Sequence, residues 1–182
     1  MERKRLLEIL KEKSYEKREV TLASGRKSDF YIDCKQTTLD AEGAYLLGRL
    51  MYEKIAALGE KVDGVGGLTL GADPIATAVS IASFVAGNPM PAFIIRKEPK
   101  GHGTGQWLEG RKNLPKGSRV VIVEDVVTTG GSSMKAVKRA EDEGLEVIMI
   151  LSLADRCEGG RENIEAEGYR LESLFEKDEV AG

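Results

Sequence analysis

The sequence predicts an α/β fold, a mainly parallel sheet with helices on both of its faces. Three observations carry this expectation. From Val62 onward, short apolar runs alternate with stretches of helical periodicity, the pattern of successive βαβ units. The run Val120-Val121-Ile122-Val123 is apolar and largely β-branched, as a strand buried on both faces requires. The segments that suggest chemistry follow predicted strands, and open α/β sheets bind ligands beyond the carboxyl ends of their strands. With 182 residues, 41% of them hydrophobic and 31% charged, the chain reads as one globular domain with a full core.

Taken in order, Leu6, Leu7, Ile9 and Leu10 recur among charges and predict an amphipathic helix over residues 2–13. Residues 20–22 and 30–32 flank a basic segment, 23–28, and read as a hairpin. Ala44, Leu47, Leu50, Met51, Ile55 and Leu58 keep helical spacing over 41–58, with Asp40 as cap and Gly59 as stop. Residues 62–66 form a predicted strand. Asp73-Pro74 opens a helix running to Val85, and 91–95 is the next strand. After the strand at Val120, the pattern gives a helix over 133–143 ended by Gly144 and a strand over 146–153. A helix near 162–167 and a strand over 169–174 complete the chain. The stretch 96–118 breaks the alternation. It is rich in glycine and proline and has no helical period, which in a compact domain marks a lid, a binding loop or a disordered segment.

Composition narrows the function. A net charge of −3 does not favour nucleic acid. No apolar run is long enough to span a bilayer, and no secretory segment is evident, so a cytoplasmic protein without membrane partners is expected. Cys34 and Cys157 lie far apart, with neither metal-ligand nor disulfide spacing.

Chemistry concentrates in residues 119–133, RVVIVEDVVTTGGSS. Glu124 and Asp125 stand where the strand should end. Thr128, Thr129, Gly130, Gly131, Ser132 and Ser133 follow as a small, hydroxyl-rich loop before a helical pattern from Met134. Glycines let successive N–H groups point into one concavity, and a helix start adds further donors and a positive dipole end. An anion, above all a phosphate, suits that loop. The two acids cannot face the same phosphate, and their natural partner is a vicinal diol, so a phosphate site beside a diol site describes a ribose 5-phosphate. Neither the Walker pattern nor GxGxxG fits. The loop at 96–118 gathers Arg96, Lys97, Lys100, Arg111, Lys112 and Lys116 with the single histidine, His102, between two glycines. A mobile cationic loop suits a diphosphate whose charge grows as it leaves.

The segment VEDVVTTGG resembles the signature of phosphoribosyltransferases that use 5-phosphoribosyl 1-diphosphate (PRPP), and RKEPKGHGTG resembles the flexible catalytic loop of orotate phosphoribosyltransferases. With LASGRKSDFYID, which resembles that family's N-terminal hood, and the Asp155-Arg156 pair, the likeness covers nearly the whole chain. It implies a Rossmann-like type I phosphoribosyltransferase fold in a single domain over 1–182. Within it, 1–40 would form an N-terminal helix and small hood, and 41–182 the core with a flexible loop over 97–118. The implied reaction is transfer of the 5-phosphoribosyl group from PRPP to orotate, giving orotidine 5′-monophosphate and diphosphate in pyrimidine biosynthesis.

By the same resemblance, PRPP binds at Arg96, Lys97, Lys100, His102, Glu124, Asp125, Val126, Val127, Thr128, Thr129, Gly130, Gly131 and Ser132, with Lys100, His102 and Asp125 in catalytic positions. Arg156, whose planar fork matches the carboxylate that orotate bears, Thr128, Tyr31 and Ile32 are the orotate-binding positions. The bland reading of Arg156 is a salt bridge with Asp155 or Glu158. Residues 65–74 match a second diphosphate loop, and 158–168 match a segment with a structural role. Gly71 and Ala23 stand where some members carry lysines, so the site is expected to lean on the 96–102 loop and on magnesium. Mg²⁺ is the implied cofactor, held mainly through PRPP and not by a protein metal site. A homodimer is implied, with loop 97–107 shared across subunits.

Two other readings use the same residues. A transferase for another nucleobase would not need Arg156. A nucleic-acid-binding regulator on this fold would carry a basic face apart from the site, and the charges here are mixed along the chain.

Overall fold

The computed structural model of the chain describes residues 1–21, 27–99 and 106–182; the tip of the predicted hairpin, Lys100 and His102 lie outside the described residues. The first helix, α1 (Glu2–Lys13), buries Leu6, Ile9 and Leu10. A separate two-stranded antiparallel sheet follows, β1 (Tyr15–Thr21) with β2 (Lys27–Ile32). This hairpin starts five residues earlier than its apolar pattern suggests, since the charged run from Glu16 to Glu19 hides the alternation. A short helix, α2 (Lys35–Thr38), then leads to α3 (Ala41–Ala56). Asp40 caps α3 as expected, accepting the Gly43 N–H at 3.0 Å.

The core comprises β3 (Gly64–Leu68), α4 (Ala72–Val85), β4 (Ala92–Ile95), β5 (Leu108–Glu109), β6 (Arg119–Val127), α5 (Gly131–Asp142), β7 (Glu146–Asp155), α6 (Gly160–Ala166), β8 (Leu171–Glu176) and α7 (Lys177–Ala181). Its six strands lie in the order β5-β4-β3-β6-β7-β8, all parallel except the edge strand β5. Alternation along β6 sends Val121 and Val123 into the cluster formed with α3 and α4, and Val120 and Ile122 into the cluster formed with α5 and α6. The strand is buried on both faces, as its composition requires.

Among the boundaries that differ from the sequence expectation, three bear on the site, each for a local reason. Glu124 and Asp125 do not end β6, because Val126 and Val127 go on pairing with Ala154 and Asp155 of β7. Helix α5 begins at Gly131, because Gly130 turns the chain in the left-handed region, φ 81°, and its carbonyl already accepts the Met134 N–H at 2.9 Å. Finally, 96–118 is not structureless. Ile94 and Ile95 pair antiparallel with Glu109 and Leu108, the Arg96 N–H bonds the Trp107 carbonyl at 2.9 Å, and a 3₁₀ turn over Arg111–Asn113 follows. Buried Leu108 and Leu114 fasten this segment to the core. Residues 100–105, between Arg96 and Trp107, lie outside the described residues.

Candidate active site

The carboxyl ends of β3, β6 and β7 bring the expected groups together. The two acids of β6 part company there, each toward the start of a different helix. Glu124 is 5% exposed, and its Oε2 accepts from the Ser132 hydroxyl at 2.8 Å and the Ser133 hydroxyl at 3.1 Å, both in the first turn of α5. Burial and the adjoining Asp125 carboxylate push its pKa up to about 7, against the pull of the two hydroxyls. Asp125 is half-buried, accepts the Val126 N–H at 2.8 Å, and lies against Gly71, the residue that precedes α4. A Cβ at Gly71 would stand 2.5 Å from Asp125 Cγ.

The loop after the acids is braced from one side. Val127 is buried in the core, so it offers the site only its backbone; Val126 is half-buried. The Val127 carbonyl accepts the Arg156 N–H at 2.9 Å, and the Thr129 carbonyl accepts Asn163 Nδ2 at 3.0 Å. Thr128 is half-buried, while Thr129, Gly131 and Ser132 are exposed beside the first N–H groups of α5. A helix N-terminus braced in this way suits a phosphate. Ser133, offered by the sequence as a phosphate donor, is fully buried and points to Glu124 instead.

On the other flank, Arg156 is 8% exposed at the end of β7. Of the two bland salt bridges, the structure forms that with Glu158, at 3.2 Å, while Asp155 lies 3.5 Å from Arg161. Arg156 also donates to the Phe30 carbonyl at 3.0 Å, and its guanidinium lies 5.3 Å from the Phe30 ring. The hairpin is thereby seated on the site. Strand alternation separates Tyr31 from Ile32. Tyr31 is half-buried under the Arg18 guanidinium, 3.8 Å from its ring centre, and Ile32 is buried in the core. The two side chains leave opposite faces of β2.

On the third flank, between β3 and α4, Thr69 donates to Asp73 at 2.7 Å and the Thr69–Leu70 peptide is cis. Arg96, expected on the diphosphate, is paired with Glu109 at 3.0 Å; Lys97 is exposed. Among the described residues, no group of three or more His, Cys, Asp or Glu is arranged to hold a metal ion.

Three further residues lie beside these groups. Lys35 pairs with Asp33 at 2.7 Å, which with the more distant Asp125 holds its ammonium above the ordinary value. The signal was there, an acid and a lysine two apart just after a strand. Asn163 braces the loop from 34 residues away, and nothing local announces it. The buried Cys34 thiol sits within the field of Asp125 and Glu124, which adds to the effect of burial in raising its pKa.

Comparison with known proteins fits this geometry. Residues 36–176 match the model of the phosphoribosyl transferase domain family. The chain is 50% identical to the orotate phosphoribosyltransferase of Sorangium cellulosum over 95% of its own length and 90% of the relative's. It is 48% identical to that of Aquifex aeolicus over 99% and 98% of the two lengths. Among solved structures it superimposes on Mycobacterium tuberculosis orotate phosphoribosyltransferase in complex with PRPP with a TM-score of 0.83, at 38% identity and covering all of both chains.

Proposed function

The chain belongs to the orotate phosphoribosyltransferases of the phosphoribosyl transferase domain family, and from that premise we propose how its residues share the work. It is a pentosyltransferase of pyrimidine biosynthesis, moving the 5-phosphoribosyl group from PRPP to orotate with release of diphosphate. The observation that carries the assignment of roles is the meeting of three groups at the ends of β6 and β7: a braced helix N-terminus, an acid pair and a buried arginine.

The loop 128–132 holds the 5′-phosphate through backbone N–H groups and the Ser132 hydroxyl. Glu124 and Asp125 accept from the ribose hydroxyls, and their negative charge favours the cationic character that develops on the ribose as the anomeric C–O bond breaks. Arg156 takes the orotate carboxylate, while Thr128 and the backbone of the hood at Tyr31 and Ile32 border the ring. Support comes from the hydrogen bond that ties Arg156 to the hood carbonyl of Phe30. Arg96, Lys97, Lys100 and His102 meet the diphosphate, and closure of the connection beyond Arg96 excludes water. Magnesium, the implied cofactor, would come to the site mainly through PRPP and would offset the charge of the departing diphosphate.

The working unit is a homodimer in which loop 97–107 of one subunit serves the site of the other. Leu39, Tyr45, Leu70, Ile81, Phe84 and Val85 are each 60% exposed or more, along α3, α4 and the turns that precede them. An apolar hollow of about 520 Å³ between α3 and α4 belongs to the same face. So large an apolar face beside the site supports a second copy as its cover. No helix among the described residues is long and apolar enough to cross a membrane. Cytoplasmic placement is supported by the two free cysteines.

The test is orotate absorbance over time with purified protein, PRPP and magnesium, beside uracil and adenine. Orotate loss that needs both PRPP and metal is the expected result. Turnover of another base alone would transfer the assignment to a different nucleobase transferase.

A further inference from the structure

Two hydroxyls converge on one oxygen, Glu124 Oε2, from neighbouring residues of α5. Their surroundings differ. Ser132 is exposed and can turn outward; Ser133 is fully buried and has no route to a ligand. A 5′-phosphate at this helix start draws on Ser132, and Glu124 is then left with a single hydroxyl donor.

Resting on the assignment of Glu124 to the ribose diol, we propose that Ser133 is a positioning residue for Glu124. Its buried hydroxyl anchors Oε2, keeping the carboxylate charged and aimed at the diol while Ser132 serves the phosphate.

The surroundings of Glu124 make one donor matter. Among the described residues, the titratable groups that act on it are Asp125 on its own strand and the buried Cys34 thiol before α2. The flanking strands put Ser152 in register beside it from β7 and Gly67 next to the Val123 carbonyl from β3. These groups are neutral or negative, and burial favours the protonated acid, so the hydroxyls and the α5 N-terminus are the counterweight. Glu124, with a pKa near 7, is therefore sensitive to the loss of one hydrogen bond.

The experiment compares Ser133→Ala, Ser133→Cys and Ser132→Ala with the unaltered full-length protein, recording kcat and kcat/KM for PRPP from pH 5.5 to 9. The profile of kcat/KM reports the free enzyme, and that of kcat the substrate complex. Ser133→Ala is expected to move the acidic limb of both profiles upward by about one pH unit, with KM for orotate within about twofold of normal. Ser132→Ala moves only the kcat/KM limb, because Ser132 has already left Glu124 in the complex. Ser133→Cys keeps the volume with a weaker donor and shifts both limbs the same way; it replaces the alanine variant should that one not fold. Unmoved limbs in folded Ser133 variants, or equal kcat shifts from both serines, would overturn the proposal. If the unaltered protein fails to turn over orotate and PRPP, the functional reading is what fails. The anchor is then decided by ¹³C titration of the Glu124 carboxyl in ligand-free protein, where a midpoint unchanged by Ser133→Ala disproves it.

Discussion

The carboxylate of Asp125 rests on the bare α-carbon of Gly71, with either oxygen less than 3 Å from where a Cβ would stand. Some members of the family carry a lysine at this position, and its absence first reads as a lost cation. In space it is a contact: the acid occupies the room a side chain would need. Gly71→Ala should displace Asp125 at a cost of about 1–3 kcal/mol, seen as a roughly tenfold to hundredfold fall in kcat/KM for PRPP. Gly71→Lys should fare no better than Gly71→Ala despite the added charge. Steady-state kinetics with PRPP varied checks both, and improved PRPP use by the lysine variant would show that Asp125 has somewhere else to go.

Arg156 joins the base side of the site to the hood. Arg156→Leu removes a buried charge-assisted donor and should raise KM for orotate by roughly tenfold to a hundredfold. PRPP affinity in the absence of orotate, read by calorimetry, should stay within about threefold. Arg156→Lys should recover little of the loss, because a point charge cannot reproduce the fork.

Glu124 also writes a pH dependence into stability. Its folded pKa of about 7 lies above its ordinary value near 4.5, so between those values the folded state binds more protons than the unfolded one. Its contribution is complete at low pH, falls as pH rises through that window, and is flat above it. Glu124→Gln removes this dependence. The Tm of ligand-free Glu124→Gln, relative to the unaltered protein, should rise by several degrees between pH 5 and pH 8. A constant difference across that range would mean that Glu124 titrates near its ordinary value.

If the loop acts in trans, two impaired proteins, assayed at orotate well below the KM of the Arg156→Leu variant, can repair each other. Lys100→Ala damages the loop and Arg156→Leu the base side, so in a mixed dimer one site combines an intact loop with an intact Arg156. Refolding an equal mixture should restore roughly a quarter of full activity, half the dimers being mixed with one sound site each. Activity no greater than the sum of the separate variants would place the loop in its own subunit's site. Ile81→Glu, on the apolar face, should shift the protein toward monomer in sedimentation and lower activity with it.

Much of this molecule was legible in the sequence. The alternation of apolar runs gave the layered sheet; Asp40 and Gly144 marked helix ends that the structure keeps, the latter at φ 79°. Glu124 and Asp125 stand out in the sequence because two adjoining acids after an apolar strand run are chemically conspicuous, whereas Arg156 is marked there by its resemblance to the family's base-binding position. What stayed hidden is short or nonlocal. Strand β5 has two residues and α2 four, too few for any period to register. The direction of Ser133 depends on which face of α5 meets the core, and the Gly71–Asp125 contact joins positions far apart in the chain. A list of hydroxyls cannot tell a donor to ligand from a donor to protein.

The bond between Arg156 and the Phe30 carbonyl spans 126 residues, whereas the bonds from Glu124 to Ser132 and Ser133 span eight and nine. Closing a long chain segment carries a larger entropic cost than closing a short one, and contacts of large sequence separation slow folding. The two halves of this site therefore mature on different clocks. The phosphate half assembles from a single strand–turn–helix unit as β6 and α5 form. The base half waits for the first thirty residues to return to the end of β7. During refolding, recovery of orotate recognition should lag behind recovery of the phosphate loop, and mutations at Phe30 or Arg156 should speed unfolding with little effect on the folding rate.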